Sequence, residues 1–290
     1  RGEDVDASWD WPGRDLSFRI NVFRSREGTC AALRVLARNV PPPEEIGFPM
    51  DRCWQDIVSL KQGLVIVTGI TGSGKSTTVA SLLRRRARDR GERIITLEDP
   101  IEYILEGDRA LISQREMGSH LPTFAAGLRS ALREDPDVIF VGEVRDPETA
   151  SLAITAAETG HLVITTMHTR DTRGAITRLV DIFPQDRTQE ICSQLSFTLQ
   201  GVIAQKLVPK ANGQGRRPAM EVMRIVSSAS HLIRSGKWAQ LPAMIETHRK
   251  DGCITFDQHL KQLVEDGEVT REDALNHANS KALSSMLGGK

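Results

Sequence analysis

The spacing of apolar residues shifts as the chain proceeds. Residues 16–24 (LSFRINVFR) alternate apolar and polar side chains, and residues 30–37 (CAALRVLA) form a compact apolar run. That pattern predicts two strands of a small sheet, with a turn at SREG between them. Residues 40–49 (VPPPEEIGFP) then place four prolines in ten positions, which predicts a semi-rigid linker with neither helix nor central strand, and a domain boundary. Beyond it, short apolar runs at 64–68 (LVIVT), 93–97 (RIITL), 138–142 (VIFVG) and 162–166 (LVITT) alternate with helical periodicity over 76–90, 123–134 and 147–158. Pro147 suits a first helical turn. The alternation predicts a mainly parallel sheet covered by helices. From about 171 the pattern reads as helices joined by turns, with a hairpin around PKANGQGRRP as the exception.

Composition bounds the picture without redirecting it. A chain of 290 residues, 39% hydrophobic and 26% charged, can bury one sizeable core and a second small one. Lys+Arg and Asp+Glu both number 38, so a zero net charge provides no long-range attraction for nucleic acid or acidic membranes. The basic run RRRARDR (84–90) accordingly reads as the solvated, dipole-complementing end of a helix. No apolar run approaches the roughly 18–20 residues that span a bilayer, and no signal peptide is expected. Because the first residue is Arg1 in a polar stretch, an upstream portion is expected to be missing. Cys30, Cys53, Cys192 and Cys253 form no C-x-x-C pair, which argues against a zinc module and predicts reduced, cytosolic thiols.

The sharpest chemical signal is GITGSGKST (69–77), which fits G-x-x-x-x-G-K-[ST] between a predicted strand and a predicted helix. Gly69, Gly72 and Gly74 let the backbone curl so that N–H groups surround phosphate oxygens, and the following helix adds its positive end. In that arrangement Lys75 reaches the β/γ-phosphates and Ser76 ligates magnesium.

A parallel sheet presents ligands at the carboxyl ends of its strands, so the residues that follow each strand matter. IITL leads into Glu98, Asp99 and Glu102; VIFV leads into Gly142, Glu143, Arg145 and Asp146; LVI leads into Thr165, Thr166 and His168. Hydrolysis of a nucleotide needs one acid for hydrated magnesium, another for the attacking water, and cationic donors for the transferred phosphoryl group. Gly142 stands where an acid on the third strand would be expected. Each acid also reads as a solvated loop residue or helix cap, and spacing alone does not separate Glu98, Glu102 and Glu143. His161 and His168, without nearby cysteines, fit hydrogen-bonding roles better than zinc ligation.

GITGSGKST, LEDPIEY, LRSALREDPDVIFVGEVRD and TAAETGHLVITTMHT occur in the order of a Walker A box, an Asp box, a Walker B box and a His box. Through these boxes, nearly the whole chain resembles the secretion ATPase superfamily, and within it the PilT-like branch that retracts type IV pili. The resemblance implies an α/β fold. A partial α+β PAS-like N-terminal domain would occupy 1–39, the linker 40–49, a RecA-like P-loop core 50–225, and a C-terminal helical region 226–290. It also implies ATP and Mg2+, with phosphate-loop contacts at Gly69, Thr71, Gly72, Ser73, Gly74, Lys75, Ser76 and Thr77. Glu143 would act near magnesium through its water shell, alongside Ser76. Glu102 would activate water, His168 and His161 would sense phosphate or line an interface, and Arg19 and Arg34 would reach the nucleotide from the N-terminal domain.

The implied assembly is a homohexamer with a nucleotide near each subunit boundary. It would work at the cytoplasmic inner face of the membrane, on a pilus platform protein, with membrane contact only through partners and no nucleic acid. The four-cysteine module of assembly and secretion relatives is missing, while SASHLIRS (228–235) keeps only Leu232, Ile233 and Arg234 of the retraction branch's AIRNLIRE. An assembly ATPase, a nucleic-acid-translocating motor and a non-hydrolysing paralogue therefore stay open as alternatives.

Overall fold

The computed structural model describes residues 4–11, 13–14, 16–36 and 39–288. It contains a three-stranded antiparallel sheet of β1 (Val5–Trp11), β2 (Leu16–Ser25) and β3 (Gly28–Leu36), and a seven-stranded sheet. The larger sheet comprises β4 (Gly63–Thr68), β5 (Arg93–Glu98), β6 (Leu111–Glu116), β7 (Val138–Val141), β8 (Leu162–Met167), β9 (Leu199–Pro209) and β10 (Arg216–Arg224). Its strand order is β10-β9-β4-β8-β7-β5-β6, and every pairing is parallel except β9 with β10.

Every residue of β4, β7 and β8 is buried. Because successive strand side chains face opposite ways, Leu64 and Ile66 join the core on one face of the sheet and Val65 and Val67 the core on the other. The second of these cores is covered by α1 (Pro43–Ile46), α2 (Asp51–Ser59) and α3 (Lys75–Asp89), and the first by α4 (Phe124–Ala131), α5 (Pro147–Glu158), α6 (Thr172–Asp181), α7 (Thr188–Thr198) and α8 (Ser227–Arg234). Further C-terminal helices pack around Phe256 and Leu260 against Ala204 and Val208 of β9. Among the described residues no helix is long and apolar enough to cross a membrane.

The parallel α/β architecture matches the reading of the apolar runs, and the exceptions have local causes. A four-residue helix, α1, forms inside the proline-rich stretch that was expected to hold none. Pro43 begins it, at a position where the missing N–H has no helical acceptor to lose. The region beyond 171 is not purely helical: β9 and β10 extend the sheet over far more residues than the expected hairpin, and β9 lies parallel to β4. An apolar run such as LQGVIAQKLV does not distinguish buried strand from buried helix by period alone. β1 and the polar edge strand β6 (LISQRE) were not foreseen either.

The basic run also differs from expectation. Arg86 is 1% exposed and turned inward, pairing with both carboxylate oxygens of Glu92 (2.7 and 2.9 Å) and donating to the carbonyls of Val58 (2.8 Å) and Leu60 (2.6 Å). It thus ties the end of α2 to α3 and β5. Removing one partner of a buried pair leaves the other charge uncompensated. Glu92→Ala is expected to lower the unfolding free energy by about 3 kcal/mol in urea titration. Arg86→Met combined with Glu92→Met should recover only part of that, since the carbonyls of Val58 and Leu60 lose their donor in the double variant. A loss under about 0.5 kcal/mol for Glu92→Ala would contradict this account.

Candidate nucleotide site

The site begins where β4 runs out. Gly74, at φ +89°, turns the chain into α3, a left-handed conformation that a side chain would strain. Gly69 is needed for space: a Cβ there would lie 2.4 Å from both the Gln205 carbonyl and Ser73 Oγ. Gln205 supports the loop from β9 by donating its amide to the Ser73 carbonyl at 2.7 Å. The Lys75 ammonium lies back over the loop, donating to the carbonyls of Gly69 (2.8 Å) and Ile70 (3.3 Å) and standing 3.5 Å from His168 Nδ1. Burial pulls its pKa below the ordinary lysine value, while Glu143 and Glu102 act in the opposite direction.

Carboxylates gather opposite the loop. Gly142 follows β7, and its N–H donates to the Leu97 carbonyl at 2.7 Å. A Cβ at 142 would meet that carbonyl at 3.0 Å and Glu98 Cα at 3.3 Å, so the close approach of β5 makes the position tight for any side chain. The acid comes one residue later. Glu143 pairs with Arg145 at 2.6 Å and stands 3.5 Å from His168 Nε2, so a polar chain runs from Arg145 through Glu143 and His168 to Lys75.

Glu98, at the end of β5, is 9% exposed and accepts from the Thr96 hydroxyl (2.6 Å) and the Gln114 amide (3.0 Å). Burial outweighs those bonds, and with the negative charges of Glu102 and Glu116 nearby its carboxyl is pushed up to about 7. Glu102 is exposed by comparison. Asp146 is the N-cap of α5, accepting from the Thr149 amide (2.8 Å) and hydroxyl (2.7 Å), which is the helix-cap reading of that acid.

Asp146 apart, the phosphate loop, the carboxylates opposite it and His168 line one cavity of about 560 Å³. Thr71, Gly72, Ser73, Gly74, Lys75, Ser76 and Thr77 form one wall; Glu98, Glu102, Glu143 and His168 form another, and Arg34 of β3 closes it from the small sheet. Three expected residues do not line it. Gly69 lies beneath the loop as buried backbone. Arg19 is the cross-strand partner of Arg34, one strand farther away. His161 precedes β8, at the opposite end of that strand from His168, with its Nδ1 3.0 Å from the Ala156 carbonyl. Conversely, Tyr103, Leu207 and Arg216 line the cavity without having been anticipated. Leu207 and Arg216 belong to the β9–β10 hairpin, and no local pattern aims that hairpin at the phosphate loop. The cavity's oxygen donors, Ser76 hydroxyl and the carboxylates of Glu102 and Glu143, suit a hard cation such as Mg2+.

With the geometry in place, comparison with known proteins gives consistent matches. The family described as type II/IV secretion system protein matches residues 3–281. A twitching motility protein of Neisseria gonorrhoeae is 41% identical over 97% of this chain and 75% of its own length. The type IV pilus retraction ATPase PilT of Pseudomonas aeruginosa is 43% identical over 95% and 79%. A crystal structure of the pilus retraction motor PilT with bound ADP superposes with a TM-score of 0.89 at 42% identity, covering 96% of this chain and 78% of that one.

The pH dependence of Glu98 is testable apart from any activity. Its folded pKa of about 7 lies above the ordinary 4.5, so the native state binds more protons than the unfolded chain between those values. Stability therefore falls as pH rises through that window, and the cost of the buried charge is fully present above about pH 7. Glu98→Gln keeps an acceptor for Thr96 and Gln114. It should raise the unfolding free energy by about 1–3 kcal/mol at pH 8 and by much less at pH 5. Equal effects at the two pH values would show that the carboxyl is not titrating there.

Proposed function

From the premise that the chain belongs to the type II/IV secretion system protein family, we propose that it is an ATPase motor that powers retraction of a type IV pilus. The observation that carries this reading is the meeting of the phosphate loop, Glu102, Glu143 and His168 in one cavity at the strand ends. Likeness to proteins described as twitching motility and pilus retraction proteins supplies the biological setting.

In the proposed cycle the backbone N–H groups of the loop and the N-terminus of α3 hold the ATP phosphates. Lys75 exchanges the carbonyls of Gly69 and Ile70 for phosphate oxygens. Ser76 and Glu143 are the residues to hold Mg2+, Glu143 through the ion's water shell; when bound, the ion neutralises charge on the β- and γ-phosphates. Glu102, exposed in the cavity, takes a proton from the water that attacks the γ-phosphorus as the bond to the β-phosphate oxygen breaks, leaving ADP and phosphate. His168 keeps Glu143 and Lys75 in register. Arg34, with Arg19 beside it, brings the N-terminal strands to the nucleotide, so phosphate release is coupled to movement of a partial PAS-like domain (1–39) about the 40–49 linker, against a core spanning 50–225 and a C-terminal region spanning 226–290.

The motor is a homohexamer acting on a pilus platform protein at the cytoplasmic face of the membrane, with no nucleic-acid substrate. His161, remote from its own subunit's cavity, fits a role at a subunit boundary.

Lys75→Ala should abolish turnover. Glu102→Gln should bind ATP with Mg2+ normally yet lose about 100-fold or more in kcat, measured by steady-state phosphate release. Near-normal turnover in Glu102→Gln would remove it from the water-activating role. In cells, deletion of the gene should leave surface pili abundant and twitching absent; stimulation of the purified ATPase by DNA at moderate salt would instead point to a translocase.

A further inference from the structure

We propose that Gln114, on the edge strand β6, is a positioning residue for hydrolysis: it pins the loop that carries Glu102 just after that residue, at Tyr103 and Leu105, while Glu116 holds it just before, at Ile101. The inference rests on the ATPase reading and adds a part to it. No helix or strand spans residues 99–110, between the end of β5 and the start of β6, so something else must hold Glu102 in place. The register of β5 with β6 sets Thr96 opposite Gln114 and Glu98 opposite Glu116. Residues of that parity share one face of the sheet.

From that face the Gln114 side chain makes three bonds. Its amide nitrogen donates to Glu98 Oε1 at 3.0 Å and to the Tyr103 carbonyl at 2.9 Å, and its amide oxygen accepts from the Leu105 N–H at 2.8 Å. Two residues along β6, Glu116 accepts from the Ile101 N–H at 3.1 Å. The loop backbone is thereby held at 101, 103 and 105, with Glu102 in between. Its far side is tied down as well, because the Tyr103 and Thr77 hydroxyls lie 2.7 Å apart and Thr77 belongs to the first turn of α3. One continuous set of bonds thus joins the buried Glu98, the Glu102 loop and the helix that begins at the phosphate loop.

Only a planar group with both a donor and an acceptor meets this demand. Leucine would satisfy none of the three partners, and glutamate would keep the Leu105 bond but turn an oxygen toward Glu98 and the Tyr103 carbonyl. Gln114 does not line the cavity. Its loss should therefore act on the placement of Glu102 and leave nucleotide affinity alone, and displacement of a reacting group by about 1 Å can cost on the order of 100-fold in rate.

The experiment compares wild type, Q114A, Q114E, E98Q/Q114E and E102Q in steady-state ATPase kinetics, binding of a fluorescent ADP analogue, and amide hydrogen exchange without nucleotide. Q114A and Q114E should lose about 10- to 100-fold in kcat, with ADP affinity within about threefold of wild type. Exchange at Leu105, whose N–H loses its acceptor, should quicken about tenfold or more in Q114A while β4 and α3 keep their protection. E98Q/Q114E, which restores a donor–acceptor pair between 98 and 114, should regain part of the kcat lost by Q114E.

Turnover within twofold of wild type in Q114A, beside an inactive E102Q, overturns the proposal and leaves the ATPase reading intact. A fall in ADP affinity as large as the fall in kcat also overturns it, by assigning Gln114 to general stability of the site. If wild type itself has no turnover the ATPase reading fails, and unchanged exchange at Leu105 in Q114A then separately refutes the clamp. Should Q114A not fold, the near-isosteric Q114E and its rescue decide the matter.

Discussion

The burial of β4, β7 and β8 along their whole length is the constraint on which the rest depends. Strands covered on both faces have no position for a charged side chain, because an ion taken out of water costs several kcal/mol unless it is paired. Polar chemistry is therefore displaced to the strand ends. In a parallel sheet those ends lie together, so the phosphate loop after β4, the carboxylates after β5 and β7, and His168 after β8 meet in one cavity although they are far apart in sequence.

Close packing at that edge also decides where each carboxylate stands. β5 approaches β7 so closely that a Cβ at 142 would press on the Leu97 carbonyl, and the acid stands one residue later at Glu143, where Arg145 and His168 flank it. Glu98 is taken into the interior and its carboxyl driven up to about 7, whereas Glu102 stays exposed at the cavity wall. The acid that ends β5 and the acid of the loop that follows are thus separated by burial. The buried one joins a structural network with Thr96 and Gln114, and the exposed one is left for solvent and substrate.

Elements at the two margins of the site tie it to the rest of the molecule. Arg34 brings the small antiparallel sheet to the cavity, and the β9–β10 hairpin contributes Leu207 and Arg216. Gln205 of β9 holds the phosphate loop, while its neighbour Lys206 donates to the His277 carbonyl (2.7 Å) and Asn279 Oδ1 (2.8 Å) in the C-terminal segment. A single strand therefore touches the nucleotide-binding loop and the C-terminal helices through adjacent residues.

The parallel α/β core is legible in the amino-acid order, since continuous apolar runs of five or so residues between helical periods have few other uses, and so is the phosphate loop, whose glycines and lysine are read locally. The same order also named Glu102, Glu143 and His168 as candidates, because their place immediately after a strand follows from the runs themselves. Tertiary structure decided the remainder. That β9 joins the sheet beside β4, that Arg86 of a basic run turns inward to Glu92, and that His161 sits at the end of β8 away from the cavity all depend on which elements become neighbours. So does the division between Glu98 and Glu102. Local pattern records which side chains avoid water, but a carboxyl's burial and its hydrogen-bond partners come from residues distant in the chain, and those are known only once the chain has packed.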